Sequence, residues 1–310
     1  MADFDVVGIV RYGQPVLQAD TLRFKRDSKL VLAPIEKNMT PTKSLTIIAD
    51  KIEVEDRAEI TYDFDNLPGL DPDTPAPPQT GTVSNGANGS SPAGEGSYPQ
   101  ASDGGNGSPG HTGLKGIKGW DAPELQIFVG EVSQINSDAI TVNFKGQDGG
   151  KGGKGGDGGK GGNGQKGAAS QTSDSWYDGD QCDREPGKGG TGGRGGDAGF
   201  PGKGGAGGNG GIVKVFAKAS SLPAVQGWNY IVEGGKGADP GDQGNRGAGG
   251  TGGPQGTQND PCPTRPEYHG PDGPPGKSMD EVDPSWQTNY KGKDGVKGEA
   301  DTYELTDVPN

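Results

Sequence analysis

Glycine recurs at every third residue over long stretches of the chain, and this period limits the available folds more than any other feature. Between 187 and 211 nine glycines follow one another at intervals of three without a miss. Shorter runs of the same register occupy 104–119 and 146–167, a fourth runs from 235 to 256 with Ala238 in place of one glycine, and echoes appear at 270–276 and 292–298. A left-handed polyproline II helix has three residues per turn and a rise of about 3.1 Å, so every third side chain lies on one face. It has no internal hydrogen bonds. Glycine on that face lets another backbone approach closely enough to satisfy its N–H and C=O groups.

Two kinds of partner can do this: two other chains, as in collagen, or neighbouring helices of the same chain. Collagen needs Pro at about 15–20 % and an unbroken register. The run at 146–167 contains no proline, and the runs break into segments carrying Trp, Tyr and Cys. That run is also mostly Gly-Gly-X, with Lys151, Lys154, Asp157, Lys160, Asn163 and Lys166 at X. Two bare faces and one wet face suit a helix at the surface of an intramolecular bundle. Phe200 and Pro201 interrupt the pattern in the 187–211 run and suggest a position nearer an apolar layer. Glycine loses the most conformational freedom on folding, so such rods are expected to be stable only side by side.

The stretches Gly149–Lys160 and Gly189–Asp197, both Gly-Gly-X, resemble those of polyglycine II bundle proteins. Examples are the distal tail-fibre adhesins of T-even-like bacteriophages and the insect glycine-rich antifreeze proteins. Gly107–Gly119, with its Gly-Ser-Pro-Gly-His-Thr-Gly repeat, is also similar to bacterial collagen-like proteins. The resemblance covers about a third of the chain. In the phage adhesins the loops joining glycine helices contact the host receptor, so it implies a receptor-binding role for such loops here.

Outside the glycine runs the signals are β. In 45–62, apolar residues alternate at Leu45, Ile47, then Ile52, Val54, then Ala58, Ile60, Tyr62, which predicts three short strands with polar corners. Further alternation marks 125–129, 139–144, 212–217 and 228–232, the last three abutting glycine runs. The expected organisation is a β region over 1–66, a Pro/Gly/Ser-rich linker over 67–103, strands interleaved with polyglycine II excursions over 104–277, and an acidic segment over 278–310. The expected fold is all-β with polyglycine II: short strands in a β-solenoid or sandwich layer beside a helix bundle.

Hydrophobic residues make up 27 % of the chain, too few for one conventional core of 310 residues. The formal charge of −13 argues against a sequence-independent grip on nucleic acid. No apolar run approaches the roughly 18 residues of a membrane span, so no membrane insertion is expected. The acidic N-terminus, Met-Ala-Asp-Phe-Asp, does not read as a secretory signal, so the expected location is a virion, or an extracellular or cell-surface place reached by a non-classical route.

Three irregular segments collect contact residues: Trp176 and Tyr177 in 168–186; Arg265, Tyr268 and His269 in 257–269; Trp286 and Tyr290 in 278–291. If the runs are rods, these segments fall at rod ends, where the aromatics either form a small covering core or recognise a partner. Asp178, Asp180 and Asp183 are weak candidates for Ca²⁺, since their spacing matches no EF-hand. Cys182 and Cys262 form one bridge or are two unrelated thiols. Neither histidine has an identifiable catalytic partner in sequence, and no strand–glycine loop–helix unit suits a nucleotide, so no cofactor and no enzymatic activity are expected. The expected function is a rigid scaffold for adhesion through a cell-surface receptor or glycan. The alternatives are a structural subunit of an extracellular fibre or matrix, assembling with copies of itself, and an ice-binding protein, which the Lys/Asp faces disfavour.

Overall fold

The computed structural model describes residues 2–33, 43–64, 83–90, 101–134, 139–177 and 179–309. Two parallel sheets dominate one part of the molecule. Strands β1 (Phe4–Val6), β3 (Val16–Phe24), β5 (Ser44–Val54), β7 (Glu124–Gln134), β11 (Ile212–Ala217) and β13 (Glu299–Glu304) form a six-stranded sheet in that order. Strands β2 (Ile9–Tyr12), β4 (Ser28–Leu32), β6 (Ala58–Tyr62), β8 (Ile140–Asn143) and β12 (Asn229–Ile231) form a second sheet of five. Up to β8 consecutive strands alternate between the sheets, so the chain winds from one to the other and each strand pairs in parallel with the strand two places earlier.

Period-two side chains explain why the sheets face each other. On β5, Leu45, Ile47, Ala49, Ile52 and Val54 turn inward, and they meet Ile60, Val142 and Phe144 from the other sheet in one buried cluster. The alternation slips by one at Asp50, which reads in sequence as a corner. Instead β5 runs through it: the pairing skips Asp20, Asp50 and Gly130 at one level of β3, β5 and β7, so three neighbouring strands share one irregularity. The three strands expected in 45–62 are therefore two, because a stacked irregularity shifts the side-chain phase without ending the strand.

The acidic segment expected after 277 contains β13, which closes the six-stranded sheet, and a glycine stretch leading into it. A hairpin of β9 (Gln171–Ser175) and β10 (Gly179–Arg184) and three short helices, α1 (Leu222–Gln226), α2 (Met279–Val282) and α3 (Trp286–Asn289), carry no clear sequence signal. Of the linker expected over 67–103, residues 67–82 and 91–100 lie outside the described residues.

The glycine stretches are extended and belong to neither sheet. They comprise segments I (83–90), II (101–122), III (144–170), IV (187–211), V (232–257), VI (268–277) and VII (290–298), arranged in two layers by their hydrogen bonds. In one layer, Gly104, Gly107, Gly110 and Gly113 of segment II donate to Thr191, Arg194, Asp197 and Phe200 of segment IV. Segment IV donates in turn to VI (Gly192 to Pro271) and VII (Gly207 to Lys293). In the other layer, I donates to III (Gly86 to Lys160) and III to V (Gly149 to Lys236). Between layers the segments run antiparallel: Gly153 donates to Leu114, Gly202 to Gly153 and Gly241 to Gly202, at 2.8, 2.8 and 3.0 Å.

The layers continue the sheets. Segments II, IV and VII lead into β7, β11 and β13, which are neighbours in the six-stranded sheet; III and V follow β8 and β12, neighbours in the five-stranded sheet. Where the facing side chains are Val, Ile and Phe, the sheets enclose an apolar core. Where they become glycine, the layers close onto each other's backbones.

Candidate functional site

The Gly-Gly-X triplet divides the backbone work by position. In segment III the first glycine donates within its layer, the second donates across to segment II, and the X side chain faces outward. The N–H of X then needs a third acceptor. An Asp or Asn immediately before a Gly or Ala on the adjacent segment supplies it: Asp148 Oδ1 accepts from Lys236 N–H at 2.8 Å, Asp157 from Asn245 at 2.8 Å and Asn163 from Thr251 at 3.1 Å. Asn106 and Asp121 do the same for Arg194 and Asn209 on segment IV. The side-chain oxygen replaces the carbonyl that a parallel β-ladder would offer, while the following N–H, as in Gly149 to Lys236, completes the bridge. Of these, Asp157 and Asn163 read in sequence as part of a merely wet face. Asx directly before glycine or alanine, repeated along the runs, is the signal that identifies them.

At one end of the layers, 168–186 and 257–269 come together. Ser170 N–H donates to Thr257, and Asn259 binds Ser170 through both its backbone N–H and its side chain. The Cys182–Cys262 disulfide is formed, resolving the alternative left open by the sequence. Beside it Arg265 grips Glu185 with two parallel hydrogen bonds of 3.0 and 2.7 Å, holding the Glu185 carboxyl below its ordinary range, and the Tyr268 hydroxyl donates to the same carboxylate at 3.4 Å. The Lys188 ammonium lies 5.2 Å from the Tyr268 ring centroid. His269 is exposed, with Nδ1 2.8 Å from the Gly270 carbonyl.

The β9–β10 hairpin projects from this anchored base. At its turn Trp176 is 92 % and Tyr177 80 % exposed, their rings edge to face at 5.1 Å. They are not part of a covering core. Of the calcium candidates, Asp178 lies outside the described residues, Asp180 sits opposite Asp174 across the hairpin and Asp183 accepts from the Ser173 hydroxyl. Among the described residues no group of three or more His, Cys, Asp or Glu side chains could hold a metal ion.

Trp286 and Tyr290 are placed elsewhere. Segment VI ends opposite Ala198 and segment VII begins opposite Gly204, so 278–289 lies partway along segment IV and not at its end. Trp286 is 6 % exposed and, like the buried Met279, lies outside the main apolar cluster; it donates its indole N–H to Asp280 at 2.8 Å. This small fold is tied to segment V by Met279 N–H on Gln243 and by the Arg246–Glu281 ion pair at 2.6 Å. The expected rod-end position fails because segment V offers a polar edge to dock against midway. Phe200 also differs from expectation. Pro201 is buried, but Phe200 is 37 % exposed on the outer face, since the X position points outward whatever residue fills it.

No family model matches the chain, and no curated protein does. Among solved structures, the nine-helix polyproline type II bundle antifreeze protein of the springtail Granisotoma rainieri is retrieved at 22 % identity over 65 % of this chain and 98 % of that one, with a TM-score of 0.08. No helix among the described residues is long and apolar enough to cross a membrane.

Proposed function

We propose that the chain is a non-enzymatic scaffold in which a β-solenoid passes into a polyglycine II bundle, and that the bundle presents the β9–β10 hairpin for adhesion to a cell-surface receptor or glycan, from a virion fibre tip or a cell surface. The observation that carries this reading is the pair Trp176 and Tyr177, held in solvent on a hairpin that a disulfide and a two-pronged Arg265–Glu185 pair fix to its base. Burial of two such rings against a partner is worth far more than leaving them wet, and aromatic residues dominate interface energetics. Trp176→Ala/Tyr177→Ala protein should melt as the parent does yet lose attachment to cells or to an immobilised glycan panel. Attachment at parental strength would refute the adhesin reading.

A fibre subunit is the second reading, supported by exposed Val7, Ile9 and Val16 around the first turn of the coil, where β2 and the first half of β3 have an open edge. Concentration-dependent filaments seen by electron microscopy, abolished by Ile9→Lys, would favour it.

A further inference from the structure

A second surface lies on the flank of the glycine layers, away from the hairpin. Gly116 donates to the Lys203 carbonyl and Gly204 to that of Tyr290, which sets segments II, IV and VII side by side. Lys115, Lys203 and Lys293 therefore project from three adjacent segments within about one turn of each other, all exposed. At three other places on the layers a lysine is answered by an aspartate three residues on, at Lys118–Asp121, Lys145–Asp148 and Lys154–Asp157. At this patch that acid is missing, and none of the three has a carboxylate within ion-pair distance among the described residues. The Lys203 ammonium sits 5.0 Å from the Tyr290 ring centroid, and Phe200, one turn back, exposes its ring beside them. An uncompensated cationic cluster around an exposed aromatic ring, in a chain of net charge −13, is complementary to a negatively charged and partly apolar ligand.

We propose that this flank binds an acidic polysaccharide, the lysines taking its carboxylate or sulfate groups and Phe200 lying against the C–H face of a sugar ring. The spacing of charge favours this over nucleic acid. Cations along one segment can recur only every turn, about 9 Å at 3.1 Å per residue. Duplex DNA carries a charge about every 1.7 Å and would bring most of its phosphates against an acidic protein. A chain with a charge on each sugar or every second sugar is sparser and fits better.

The test is calorimetric titration of the full chain with oligogalacturonate, a sulfated oligosaccharide, neutral dextran and oligothymidylate matched in charge. At least one acidic oligosaccharide should bind and weaken as salt is raised. The Lys115→Gln/Lys203→Gln/Lys293→Gln variant should lose about tenfold or more in affinity and Phe200→Ala several-fold, with parental melting curves. The Trp176→Ala/Tyr177→Ala protein should bind as the parent does, which separates this surface from the hairpin. Absence of binding to both acidic oligosaccharides, equal binding of dextran or oligothymidylate, or an unchanged triple variant would overturn the proposal.

Discussion

At the scale of single residues, adjacent glycines in one triplet are not equivalent. A Cβ on Gly149 would overlap the backbone carbonyl of Gly205, whereas one on Gly150 would meet nothing closer than Ile117 N at 3.4 Å. Gly149→Ala should unfold the array or cost several kcal/mol. Gly150→Ala should change stability by less than about 1 kcal/mol, because alanine also restricts the unfolded chain. Chemical denaturation of the two variants decides this, and equal losses would show that the close approach is not the constraint.

Asp157 makes a companion case through its charge. The Asn245 backbone N–H, and then its side chain, bind the carboxylate and hold its pKa below the ordinary value near 4. A carboxyl depressed in the folded state contributes stability that is complete above its unfolded pKa and is lost as pH falls through the lower folded one. Melting temperature should therefore fall below about pH 4, and less steeply in Asp157→Asn, which keeps the acceptor oxygen without the titration. Asp157→Ala removes the acceptor and should cost about 1 kcal/mol at neutral pH.

At the scale of elements, strands with a regular apolar alternation were legible: β7, β8, β11 and β12 fall where the period predicts them. β13 was not, since Glu-Ala-Asp-Thr-Tyr-Glu has no buried face of its own and becomes a strand because β11 offers an open edge. The β9–β10 hairpin was hidden for a similar reason. The described side chains of its strands are mostly polar and exposed, and what holds it is a covalent link across 80 residues, which single-sequence periodicity cannot register. Replacing both cysteines by serine should lower stability by about 2–4 kcal/mol and raise amide exchange in 171–184 above that in segment III, as mass-spectrometric exchange would read. Unchanged exchange would mean that Arg265 and Glu185 anchor the hairpin unaided. Trp286 shows the converse limit. An aromatic residue in a polar loop reads as a contact residue, but only the three-dimensional fold shows its ring buried and its indole N–H bound to Asp280.

At the scale of the whole molecule, one pair of layers is held together in two physically different ways. Between the sheets the interior is apolar side chain, from Phe24 and Ile47 to Val142 and Val213. Between the glycine segments it is peptide group against peptide group, with N···O distances of 2.7 to 3.2 Å repeated along each pair. Unfolding the first kind of interior exposes apolar surface, which raises heat capacity by about 0.45 cal/mol/K per Å². Unfolding the second exposes mainly amide groups, which lower it by about 0.26 cal/mol/K per Å². The two contributions oppose each other within a single chain. Calorimetry should thus find a heat-capacity change per residue well below the usual 12–15 cal/mol/K, alongside an ordinary or large unfolding enthalpy from the many ordered hydrogen bonds. A value in the usual range would mean that the glycine segments do not melt as part of the cooperative unit, and exchange of their amides at coil rates while β5 and β7 stay protected would locate the boundary at Phe144 and Gly211, where the side-chain core ends.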